Sequence, residues 1–123
     1  MTATKRRAVL IGLGCLLALP LVVAVVQLRS PRWYPVLDLA MTELRVRDVG
    51  TTNSPLIGLP GRIGDFPKQG SHPGPLSFYV LAPLYRALGS MAWALQAATA
   101  ILNIVAMAAS LAIANRRGGV RLA

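Results

Sequence analysis

Cysteine, histidine and acidic residues are all scarce in this chain. One cysteine and one histidine occur in 123 residues, and 4 Asp/Glu stand against 13 Lys/Arg. A single thiol excludes an internal disulfide and any site that needs paired thiolates. Cys15 sits inside an apolar run, where it reads as a small helical residue. Gly12, three places ahead of it, is not the large aliphatic residue that lipoprotein attachment requires. One histidine excludes zinc sites built on several imidazoles. Aromatic residues make up 6% of the chain and do not interleave with a basic stripe, which argues against nucleic acid despite the net charge of +9. The four acids are Asp38, Glu43, Asp48 and Asp65, so chemistry that needs a carboxylate is confined to one internal stretch.

Hydrophobic residues are abundant, at 54%, with only 14% charged, a balance too apolar for an ordinary soluble domain. They concentrate in two uncharged runs. Ala8 to Val26, "AVLIGLGCLLALPLVVAVV", is long enough to cross a bilayer, at 1.5 Å of rise per residue. It is longer than a signal-peptide core and no small-x-small cleavage site follows it, so an uncleaved anchor is expected. Pro20 should bend it. Ser90 to Ala114 forms the second run, with Trp93 at its start. Gln96, Thr99 and Asn103 share one face of it, which argues for neighbouring transmembrane helices. The basic start, 1–7, and the basic tail, 115–123, place both ends in the cytoplasm of a multi-pass cell-membrane protein. The expected layout is therefore a first transmembrane helix at 8–28, an extracytoplasmic loop at 29–89 and a second transmembrane helix at 90–114. The fold class that follows is an all-α membrane protein, with two transmembrane helices joined by a long outward loop.

The loop carries two short amphipathic or interfacial helices, near 35–49 and 75–88. Pro35 suits a first helical position, and Leu37, Ala40, Met41 and Leu44 make one apolar face, as in a helix lying on a membrane surface. Glu43 and Arg47 stand four apart in the favourable order. Residues 50 to 75 hold six glycines and five prolines and show no period, as expected of a loop with special backbone angles. The following "PLSFYVLAPLYRALG" has helical spacing, with Pro83 expected to kink or split it and Gly89 to cap it.

The order of these features resembles the amino-terminal part of GT-C-type polytopic membrane glycosyltransferases. The stretches that carry the resemblance are "VLDLAMTELRVRD" after the first span and "HPGPLSFYVLAPLYRALG" before the second. It covers roughly residues 5 to 119. It implies an integral membrane enzyme that transfers a sugar from a polyprenyl-phosphate donor at the outer face. It also implies that the carboxylate after the first span acts as general base. Asp38 takes that role by position, with Glu43 and Asp48 behind it. Such enzymes have many more spans, so this chain is expected to be a fragment or truncated relative, not active by itself.

Considered by chemistry alone, Asp38 suits either a general base beside Arg45 or a solvated acid near a helix N-terminus. Asp38, Glu43 and Asp48 are five apart and point to different sides, so no cofactor is expected and a divalent metal is disfavoured. Arg45, Arg47, Asp48 and His72 are the candidate substrate-binding residues, with Arg62 as a further phosphate contact. His72 has an equally good structural role, fixing the turn into the next helix with Pro73 and Pro75. The expected partners are the lipid bilayer, a polyprenyl-phosphate sugar and other transmembrane helices. The alternative function is a small non-catalytic two-span protein that works by helix–helix association.

Overall fold

The structure is a computed structural model and describes residues 2–30, 33–61, 63–65, 68–72 and 74–118. Among these residues the regular elements are four helices: α1 (Ala3–Gln27), α2 (Asp38–Asp48), α3 (Leu76–Ala87) and α4 (Ala92–Gly118). Among the described residues there is no strand, only an isolated antiparallel bridge between Pro60 and Ser71. The apolar runs give α1 and α4, both long and apolar enough to cross a membrane, with mean hydropathies of 2.9 and 2.0 over their candidate spans. The chain divides into two compact units. One comprises α1 and α4 from Thr99 onward; the other comprises α2, the loop, α3 and the start of α4 as far as Ala98.

In the first unit, α1 continues through Pro20 without interruption. Arg6 reaches the end of α4: its Nε donates to Asn115 Oδ1 at 2.6 Å and its Nη2 to the Asn115 carbonyl at 2.5 Å. The last carbonyls of a helix lack intrahelical donors and carry partial negative charge, so a guanidinium satisfies both deficits. On α4, Asn103 Nδ2 and Ser110 Oγ donate to the carbonyls of Thr99 and Ala106, each four residues back and each at 2.9 Å. These two polar groups are thus partnered by their own helix.

The second unit has a small core of Val46, Val49, Leu59, Phe78, Ala82, Tyr85, Ala94 and Leu95. Phe78, Ala82 and Tyr85 follow i, i+4, i+7 spacing, which puts all three on the buried stripe of α3. Pro83 lies on the exposed side, and α3 runs through it without being split. The helix expected from Pro35 starts instead at Asp38. Leu37 precedes it with φ 51°, a left-handed geometry that ends the extended segment. α2 buries Glu43 and Val46, whereas the apolar face read from the sequence points outward: Leu37, Met41 and Leu44 are exposed.

The corner between α3 and α4 follows a Schellman pattern. Gly89 has φ +87° and its N–H donates to the Arg86 carbonyl, while the Ser90 N–H donates to the Tyr85 carbonyl, both at 3.0 Å. In the loop, His72 N–H donates to the Leu59 carbonyl at 2.8 Å and Gly61 N–H to the Gly70 carbonyl at 3.0 Å. Gly61 is required by close approach, because a Cβ there would lie 2.2 Å from the Gln69 carbonyl oxygen. Gly61→Ala should therefore break this pairing at a cost of about 3 kcal/mol, the scale of forced overpacking. Hydrogen exchange at the His72 amide should accelerate about 100-fold. An unchanged exchange rate would show that the loop accommodates the methyl group.

Candidate functional site

α2 carries most of the candidate residues. Asp38 is exposed at its first position, where negative charge is favoured by the helix dipole. The Thr42 hydroxyl donates to the Asp38 carbonyl at 2.8 Å, binding the first turn together. One turn on, Glu43 is buried. An ionised side chain tolerates that environment only with charge and hydrogen-bond partners, and α2 and α3 provide both. Arg47 Nη2 donates to Glu43 Oε1 at 2.6 Å, and the Tyr85 hydroxyl donates to the same oxygen at 2.5 Å. Arg47 Nε donates to the Tyr85 oxygen at 2.8 Å, and the guanidinium carbon stands 5.9 Å from the centre of the Tyr85 ring. The Ser90 carbonyl stands 2.9 Å from the same hydroxyl, as the alternative acceptor for its single proton, and lies 3.4 Å from Arg47 Nη2.

Electrostatics follow from this arrangement. Burial, and then the bond to the Glu43 carboxylate, push the Tyr85 phenol up to about 12, against the opposing pull of Arg47. Arg47 is itself raised, first by its bond to Tyr85 and then by its bond to Glu43, against partial desolvation. The phenol thus stays protonated and the guanidinium charged throughout the physiological range. Among the described residues, no buried side-chain nitrogen or oxygen lacks a hydrogen-bond partner.

Arg86, the residue after Tyr85, ties down the other end of α2. Its Nη2 donates to the Val49 carbonyl and, at 3.4 Å, to the Arg47 carbonyl. Gly50 then leaves the helix with φ +78° and its Cα side facing the Arg86 guanidinium. Two successive residues of "LYRALG" therefore hold two different turns of α2. Arg86 and Gly89 of this stretch thus have local roles: the arginine caps α2 and the glycine turns the chain out of α3.

The structure thus joins two of the candidates, Glu43 and Arg47, and adds Tyr85, Arg86 and the Ser90 carbonyl, which reasoning from sequence did not single out. The bonds that join Glu43 to Arg47 involve none of Asp38, Arg45, Asp48 or His72. Asp48 serves through its carbonyl, which accepts from Thr51 N–H at 3.0 Å, from the Thr51 hydroxyl at 2.7 Å and from the Ser54 hydroxyl at 3.2 Å. His72 is exposed, and its backbone N–H, not its imidazole, makes the loop contact. Arg45 is half-buried on α2. Arg62 and Pro73 lie outside the described residues. Among the described residues no group of three or more His, Cys, Asp or Glu gathers to hold a metal ion.

The chemical capacity of the site divides accordingly. Glu43 has Oε1 filled by the fold, and the polar cluster around it acts as a tie between α2 and α3. Asp38 lies outside this tie and at the surface, on a helix whose far end is held by Arg86. No protein-family model matches the chain, and no curated protein and no solved structure matches it.

Proposed function

We propose that this chain is an integral membrane protein whose helices α1 and α4 cross the bilayer, both ends cytoplasmic. We further propose that it forms the amino-terminal part of a GT-C-type glycosyltransferase that uses a polyprenyl-phosphate sugar at the outer face. The observation that carries this reading is the placing of Asp38. It stands exposed at the start of a helix fixed at two turns by Tyr85 and Arg86. A general base needs a carboxylate at the surface on a rigid support, within reach of an acceptor hydroxyl. The exposed apolar face of α2, at Leu37, Met41 and Leu44, supports a position against lipid headgroups, where a lipid-linked donor would be met. In this reading Arg45 and His72 contact substrate, and Glu43, Arg47 and Asp48 keep α2 and its exit turn in place.

The test uses the complete multi-span enzyme in membranes with a labelled polyprenyl-phosphate sugar. Asp38→Asn should lower transfer by at least about 100-fold, the lower end of general-base effects, with membrane insertion retained. Transfer at the unmodified rate would remove Asp38 from the mechanism.

A second reading, a two-span protein that works by helix association, is favoured by the bare surfaces of the long helices. None of the α1 candidate span and 17% of that of α4 is buried within the chain. Donor- and acceptor-labelled copies in dilute vesicles should then exchange energy; no transfer at any protein-to-lipid ratio would count against it.

A further inference from the structure

The unit built from α1 and the later part of α4 contains an open groove of about 530 Å³. Its walls are apolar, with Leu10 and Ala18 on α1 facing Ile104 and Leu111 on α4, and Arg7 and Arg116 stand at one end. Arg6 is occupied by Asn115, so Arg7 and Arg116 are the guanidiniums turned to the groove. Both are exposed. No side-chain carboxylate exists anywhere in this unit, because all four acids of the chain lie between residues 38 and 65. No side chain of the unit can therefore supply an anion to neutralise these two arginines.

Length narrows the choice of occupant. From Arg7 to Ala18 the groove follows eleven steps of helix, a depth of about 16 Å at 1.5 Å per residue. Half of a bilayer's hydrocarbon core is about 15 Å thick. A spanning helix would need a groove of twice that depth. A lipid needs one leaflet of apolar wall below a cationic end, and basic pockets between transmembrane helices on the cytoplasmic side suit anionic headgroups. We infer that this groove is a binding site for one anionic glycerophospholipid, with an acyl chain between α1 and α4 and its phosphate between Arg7 and Arg116. The inference rests on α1 and α4 spanning the bilayer and is independent of sugar transfer.

The full chain is reconstituted in vesicles of equal phosphatidylglycerol and phosphatidylcholine, extracted in mild detergent, and its retained lipid identified by native mass spectrometry. Alkaline carbonate extraction of the same vesicles reports insertion separately, so failure to span is distinguished from failure to bind. One phosphatidylglycerol per chain is expected, preferred about tenfold over phosphatidylcholine. Arg7→Gln with Arg116→Gln should bring that preference close to one, and lysine at both positions should restore it. Gly14→Leu should lose both lipids, since a side chain there grows toward Leu111, whose Cδ1 is 3.9 Å from the Cβ position. Circular dichroism confirms that each variant keeps its helices. Three results would overturn the proposal: no headgroup preference in the unmodified chain, a preference that survives the double glutamine variant, or Cys15–Cys15 cross-linking in the bilayer, which would put a second copy in the groove that Cys15 lines.

Discussion

Phe78→Ala is expected to destabilise the unit formed by α2, α3 and the start of α4 by about 3–5 kcal/mol. Phe78 is fully buried, and with Tyr85 and Val46 it is among the largest such side chains in the chain. The core that surrounds it is small, and two of its eight members are alanines, which fill little space and cannot close over the cavity. For a unit of this size the loss corresponds to a fall in Tm of roughly 15 °C or more. The measurement is the near-ultraviolet dichroism of the detergent-solubilised chain, followed with temperature. The far-ultraviolet helical signal should change less, because α1 and most of α4 lie outside the affected unit. Phe78→Leu keeps most of the volume and should cost under about 1.5 kcal/mol. Equal effects of the two substitutions would mean that packing volume at position 78 does not limit stability.

Arg47→Met is expected to cost about 2–4 kcal/mol, toward the lower part of the range for breaking a buried ion pair by removing one partner. The asymmetry of the pair sets this figure. The Glu43 side chain is 8% exposed and that of Arg47 52% exposed, so the arginine can return to water while the carboxylate cannot. Removing the guanidinium leaves Glu43 with the Tyr85 hydroxyl as its remaining partner in the cluster. The decisive comparison is the double variant Arg47→Met with Glu43→Leu. An apolar pair of similar volume has no charge to desolvate, and Tyr85 keeps the Ser90 carbonyl as acceptor, so stability should return to within about 1 kcal/mol of the unmodified chain. A double variant as unstable as Arg47→Met alone would show that the charge pair was not the source of the loss. Alkali probes the same cluster. The Tyr85 phenol is raised to about 12 from an unfolded value near 10, so the unfolded chain releases this proton first. The stability it contributes is complete below about pH 10 and is lost as pH rises toward 12. Tyr85→Phe should abolish that part of the pH dependence.

Both long helices were legible because their signal is compositional and contiguous. Eighteen or more uncharged, predominantly apolar residues in a row specify a helix of bilayer length whatever their neighbours do. The Glu43–Arg47 pair was legible for a similar reason, since four-residue spacing on a helix is a local rule. Its third member was not. Tyr85 lies 42 residues from Glu43, across the glycine- and proline-rich loop, and no periodicity links positions on two separate helices. At Pro83 the helix is not split, because the carbonyl that the proline deprives of a donor lies on a side where water can reach it. Pro83 and Tyr79, the residue whose carbonyl it leaves without a donor, are both exposed, so that carbonyl is not stranded in a core. Pro35 misled because it marked a plausible first turn, while the left-handed Leu37 delayed the helix to Asp38. His72 was conspicuous by rarity alone. The structure uses its backbone, a role any residue but proline fills.

The corner at Ser90 has a mechanical consequence. Ser90 adopts φ 54°, unusual for a residue with a side chain, and its carbonyl lies within hydrogen-bond distance of both the Tyr85 hydroxyl and Arg47 Nη2. Successive residues of a helix are about 100° apart around its axis. A slip of one residue where α4 begins would swing that carbonyl away from the phenol and rotate Ala94 and Leu95 out of the core. The Glu43–Arg47–Tyr85 cluster therefore acts as an index pin: it sets the azimuth at which α4 leaves the corner, and so which of its sides the opening turns of that helix turn outward.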